Sequence, residues 1–153
     1  PEGGFFAETY RSDVEVVTGS EGIKRSASTG IMFLITEKSV SRLHKIKSDE
    51  MWHFYSGGPM CVVELNEKTK TCKKTVLGPN FLEGEKVQYV VKRDVWFGSF
   101  PLDSEEGLSL VGCTVAPGFE FADFELANRS ALLEEYAENK EACEMIEKLC
   151  VGL

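Results

Sequence analysis

The chain has 153 residues, with 17 Lys and Arg against 25 Asp and Glu, a formal net charge of -8. That length buries a core without disulfide or metal staples. The negative balance argues against nucleic acid or an anionic membrane as partner, because binding phosphates needs net positive charge. No apolar run approaches the ~20 residues of a membrane span, and no signal-like segment opens the chain. The first residue is Pro1 rather than Met, so residues upstream are expected.

Short β-rich or alternating segments follow one another from the N-terminus. In order they are "GFFAETY", "TGIMFLI", "VSRLHKI", "EMWHFYS", "MCVVELN", "CKKTVL", "KVQYVVK", "VWFGSF" and "LSLVGCTVA". Turn chemistry separates them, as in "TGSEG", "SGGP", "GPNFLEGE" and "APG". Strands at this spacing with no long helical crossover predict an all-β sandwich or small barrel. The C-terminus then changes character: Ser130 reads as the N-cap of "ALLEEYAENKEACEMIEKL", with a break near Asn139 making two short helices. One domain is expected over 1–153, with the barrel over about 1–125 and the helices over about 130–150. The five cysteines, Cys61, Cys72, Cys113, Cys143 and Cys150, are odd in number and lack C-x-x-C spacing. We therefore expect a reducing, cytoplasmic setting without a zinc or redox motif.

Both histidines fall in "SVSRLHKIKSDEMWHFYSGG". Alternation along "DEMWHFYSG" places Glu50, Trp52, Phe54 and Ser56 on one face and Met51, His53 and Tyr55 on the other. Both faces are bulky, which predicts a strand covered on both sides, one lining the interior and the other meeting a second sheet or another subunit. Glu50 and His53 then point apart. His44 and Glu50, separated by a turn, are expected to meet across adjacent strands, while His53 belongs to the other face.

The segments "PEGGFFAETYRS", "STGIMFLI", "LHKIKSDEMWHFYSGGP", "GEKVQYVV", "WFGS" and "SLVGCTVAPGFEFADFEL" together resemble a cupin. The likeness is to the small one-domain cupins of unassigned function and, more distantly, the sugar-nucleotide epimerase cupins. It implies a double-stranded β-helix, or jelly-roll barrel, with a short C-terminal helical segment, and a homodimer. Many cupins hold a metal with H-x-H, a following Glu and a later His. Here His44 and Glu50 match the second His and the Glu, Arg42 stands for the first His, and Phe97 or a neighbour for the last. No metal or other cofactor is expected to be required; the alternative is a weakly held divalent ion on His44 and Glu50.

The epimerase likeness implies acid–base work instead, with His44 as catalytic base and Glu50 orienting it or acting as the acid. Thr29, Ser41, Trp52, Phe54, Gln88 and Trp96 are expected to bind a small polar ligand, of sugar or nucleotide type. The blander reading makes His44 a hydrogen-bonded structural residue and the aromatics core first. "PEGG" with Arg11 reads either as a cap over the pocket or as a strand pairing across a subunit boundary. An isomerase or epimerase, a non-catalytic binding protein and a metal-dependent dioxygenase all remain open, since one barrel hosts many chemistries.

Overall fold

A computed structural model describes residues 1–151. Its strands are β1 (Phe5–Arg11), β2 (Glu15–Thr18), β3 (Ile23–Ser26), β4 (Thr29–Thr36), β5 (Ser41–Lys45), β6 (Asp49–Gly57), β7 (Met60–Asn66) and β8 (Thr71–Leu77). They continue with β9 (Gln88–Val91), β10 (Trp96–Pro101), β11 (Leu108–Ala116) and β12 (Glu125–Leu126), followed by α1 (Arg129–Glu135) and α2 (Lys140–Leu149). Two antiparallel five-stranded sheets, β1-β4-β11-β6-β9 and β12-β5-β10-β7-β8, face each other as a jelly roll. The β2–β3 hairpin stands apart. Each segment expected as a strand forms one. The hairpin was not foreseen, because "EVVT" and "IKRS" are too short and too mixed in polarity to show a period.

Period-2 alternation fills the barrel interior. Phe33 and Ile35 of β4, Trp52 of β6, Met60 and Val62 of β7, Phe97 of β10, and Val111, Cys113 and Val115 of β11 pack there together. The opposite faces of β7 and β10 are buried as well. Cys61, Val63 and Leu65, with Trp96 and Phe100, meet Leu132, Tyr136, Ala142, Ile146 and Leu149 of the two helices. The helices thus roof the second sheet, which explains why "MCVVELN" is apolar at nearly every position.

No described element roofs the outer face of the first sheet, and Tyr55 of β6 is 53 % exposed there. Among the described residues, the cover expected on both faces of β6 is therefore found on one face only. Ser130 is not the helix cap. Asn128 takes that place, its side chain accepting from the Ala131 N–H at 3.0 Å, and Asn139 does the same for α2 through Ala142 at 3.0 Å. No helix among the described residues is long and apolar enough to cross a membrane.

Candidate active site

Between its pairings with Phe97 and Ser99 of β10, β5 carries one residue more than its partner, from His44 to Ser41. This bulge turns both Ser41 and His44 toward the interior. It depends on Gly98, where a Cβ would come within 2.6 Å of the Ser41 carbonyl oxygen. His44 is 5 % exposed, with its ring 4.2 Å from that of Phe97 and 5.1 Å from that of Phe124. Its Nδ1 lies 2.7 Å from the Arg42 carbonyl oxygen. A carbonyl only accepts, so Nδ1 carries the proton and Nε2 keeps its lone pair. Burial holds the imidazole below its ordinary value, partly offset by the Arg42 carbonyl and the Glu2 charge.

Glu50 faces His44 from the other sheet, on β6 between Val91 of β9 and Val115 of β11. The two are not on adjacent strands, as the turn between them led us to expect; they meet across the barrel. The reason is that β5 and β6 enter different sheets. Glu50 is 8 % exposed, and burial pushes its carboxyl up to about 7. A hydrogen bond with the Cys113 thiol acts in the opposite direction, and the nearby Glu2 charge adds to the rise. Burial and Glu50 together push the Cys113 thiol well up, so it stands as a neutral partner of Glu50 and not as a nucleophile.

The N-terminal segment closes one side of this space. Gly3 and Gly4 adopt φ of 101° and 69°. A side chain at Gly3 would strike the Val40 carbonyl, and one at Gly4 would come within 2.6 Å of the Phe33 ring. The tight path lets the Glu2 carbonyl accept from the Arg42 N–H at 2.6 Å while its carboxylate joins the cavity lining. A bulge in β1 between Glu8 and Tyr10 shifts the parity, so Arg11 comes to the same face as Phe6 and Glu8. Segment 118–124 forms the opposite rim. It is tied down by the Phe119 N–H to Thr29 Oγ1 at 2.9 Å and by the paired Arg25–Asp123 contacts at 2.7 Å. Phe119, Phe121 and Phe124 pack edge to face within it.

The cavity, open to solvent at its Arg11 and Glu120 rim, measures about 110 Å³ and is lined by Glu2, Thr29, His44, Glu50, Cys113 and Phe124 among others. Behind it lies a recess of about 20 Å³ bounded by Ser41 and Trp52 together with Glu2, His44 and Glu50. Thr29, Ser41 and Trp52 thus stand where a ligand would touch them. Phe54 packs against the interior core and does not border the cavity. Gln88 sits on the outer face, its amide against His53 Nδ1 at 3.1 Å. Trp96 corrects the expectation most clearly. It points out of the barrel into the core under the helices, with Lys45 Nζ 4.3 Å from its ring centre. Its strand is buried on both faces, so apolar character alone could not say which side it took.

The donor set at the family's metal positions does not fit a transition-metal ion. Phe97 sets an apolar ring against His44, and the Arg42 side chain turns to the Pro1 carbonyl at the surface. Among the described residues no three His, Cys, Asp or Glu side chains converge in a way that would hold one. Cys113 escaped the sequence reading as a site residue, and Glu2 and Arg11 entered it only through the reading of "PEGG" with Arg11 as a cap over the pocket. For Glu2 the glycine pair that follows it was the available signal. For Cys113 there was none, since a thiol in an apolar strand reads as core.

The sequence profile described as Cupin superfamily (DUF985) matches residues 1–127. Among solved structures the chain is similar to a hypothetical protein from Leishmania major, at 33% identity over 95% of this chain and 89% of that one, with a TM-score of 0.85. It is similar also to a protein from Shewanella oneidensis, at 34% identity over 97% of this chain and 87% of that one, with a TM-score of 0.83. Oxalate decarboxylase from Bacillus subtilis, at 13% identity over 80% of this chain and 31% of that one, with a TM-score of 0.55, shares the fold alone. No curated protein matches. With its barrel, its reduced ligand set and a profile match over most of its length, the chain belongs to the cupin superfamily, in the family of unknown function DUF985.

Proposed function

We propose that this cupin is an isomerase or epimerase that moves a proton on a small polar carbonyl compound of sugar or nucleotide type, with His44 as base and Glu50 as acid. One observation carries the reading: the Arg42 carbonyl takes the Nδ1 proton of His44 at 2.7 Å, leaving an unprotonated Nε2 across the barrel from a carboxyl that keeps its proton up to about pH 7. Base and acid are thus each in the form the reaction needs at the same pH. His44 Nε2 removes a proton beside the carbonyl, and the protonated Glu50 donates to the oxygen where charge develops. Burial among apolar walls, reinforced by the Glu2 charge, keeps the Glu50 carboxyl neutral. This division of labour uses no metal.

The test is exchange of carbon-bound hydrogen in D2O, followed by proton NMR across a panel of small aldoses and ketoses. Wild-type protein should accelerate exchange for one of them, and His44→Ala should not. Loss of that activity with EDTA would sink the metal-free mechanism, and saturable binding without exchange would leave a binding protein. We propose also that a second copy covers the outer face of the first sheet, where Tyr55 lies exposed; a monomer by size-exclusion chromatography would refute it.

A further inference from the structure

The proton-transfer reading leaves the substrate class broad, and the cavity walls narrow it. Resting on that reading, we infer that the site takes an unphosphorylated α-hydroxy carbonyl compound of about triose size and rejects sugar phosphates and nucleotide sugars. Charge is the first reason. Glu2, Glu8, Glu50 and Glu120 line the cavity, and the one Lys or Arg among its walls is Arg11. That guanidinium is already engaged: Nε and Nη2 donate to Glu8 at 3.0 and 2.8 Å, Nη1 to Glu120 at 2.7 Å, and Nη2 also to the Phe119 carbonyl at 3.3 Å. A phosphate entering here meets carboxylates and no free cation.

The second reason is the pattern of unmet hydrogen bonds. Glu2 Oε2 is sealed from solvent and accepts no hydrogen bond, the Pro1 amino group standing 3.4 Å away as an ion-pair neighbour. His44 Nε2 offers a lone pair to the same cavity. Both ask for hydroxyl donors on the ligand. On the other side, Trp52 is 2 % exposed and borders the recess of about 20 Å³, and its indole N–H lacks an acceptor. A single oxygen fits that space and would satisfy it. Size is the third reason. A cavity of about 110 Å³ is smaller than the ~150 Å³ that holds benzene, so its interior has room for roughly six non-hydrogen atoms or fewer. A triose has that many.

The reaction balances without a co-reactant. His44 Nε2 takes the proton from the hydroxyl-bearing carbon, its electron pair forms the C=C bond of an enediol, and the carbonyl oxygen gains the Glu50 proton. Return of a proton to the former carbonyl carbon, with loss of the hydroxyl proton from its neighbour, exchanges ketone and aldehyde. One carbon is oxidised as the other is reduced, and both side chains recover their starting forms.

Calorimetric titration and thermal unfolding with dihydroxyacetone, glyceraldehyde and the monophosphate of each test this directly. The free trioses should bind saturably, and the phosphates at least ~tenfold more weakly. Glu120→Gln, on the exposed rim, releases part of Arg11 and should narrow that gap while the protein stays folded, as its unfolding transition will show. Equal or tighter binding of the phosphates to wild type, or no saturable binding of either free triose, overturns the inference. A triose that binds but exchanges no carbon-bound hydrogen defeats the catalytic reading and leaves the ligand class standing.

Discussion

His44 and His53 stand on consecutive strands, yet they occupy two different chemical worlds. His53 projects from the outer face of β6, its Nδ1 accepting from the Gln88 amide at 3.1 Å and its Nε2 donating to Thr114 Oγ1 at 2.9 Å. Tyr55 stacks beside it with ring centres 6.4 Å apart. Both ring nitrogens are occupied by neutral partners at the surface. His44 has one nitrogen tied to a carbonyl and the other free, inside an apolar barrel opposite a protonated carboxyl. The comparison teaches that a histidine's capacity for chemistry lies in which nitrogen is left unused and in what medium. Strand parity sorts the two.

The sharpest way to break this contrast is to remove each ring in turn. His44→Ala should lower kcat for proton exchange by about 10²–10⁴-fold, the usual contribution of a positioned base. His53→Ala should leave kcat unchanged; a comparable loss there would erase the distinction. The pH profile carries the same content. Exchange should fall as pH rises through about 7, where Glu50 ionises, and fall again on the acid side as His44 gains a proton at a pH below the ordinary histidine range.

Stability offers the next largest effect. Glu50 binds its proton more tightly in the folded protein, about 7 against an ordinary 4.5. Its contribution is therefore fully present below about pH 4.5 and lost as pH rises through about 7. Burying the ionised carboxylate costs roughly 3 kcal/mol by that difference. Glu50→Gln, which cannot ionise, should exceed wild type in urea stability at pH 8 by up to that amount and lose the advantage near pH 4. An unchanged difference between the two pH values would show that Glu50 is not the buried acid described.

Smaller effects separate core from pocket. Trp96→Phe should cost about 1–2 kcal/mol through lost packing under the helices and leave triose affinity unchanged. A shift in affinity would put Trp96 back into the site. Asn139→Ala should cost about 1 kcal/mol through loss of the α2 cap, read from the urea midpoint, with no effect on exchange.

Much of the fold was legible in the sequence. Alternation marked β4, β6, β7, β10 and β11, because a half-buried strand must repeat every second residue, and it sent Glu50 and Trp52 inward and His53 outward. The helical break at Asn139 was legible for an equally local reason, since a side chain that caps its own backbone needs nothing distant. What needed the tertiary structure is whatever depends on which strands face each other and where a bulge shifts parity. Only the packed barrel sets His44 opposite Glu50 from different sheets, carries Arg11 to the cavity side of β1, and folds Glu2 past two glycines into the lining. Only the helices covering the second sheet decide that Trp96 belongs to their core, because a strand buried on both faces shows no polar side to read. Local periodicity determined the residues each strand could turn inward; long-range packing determined which of them share one cavity.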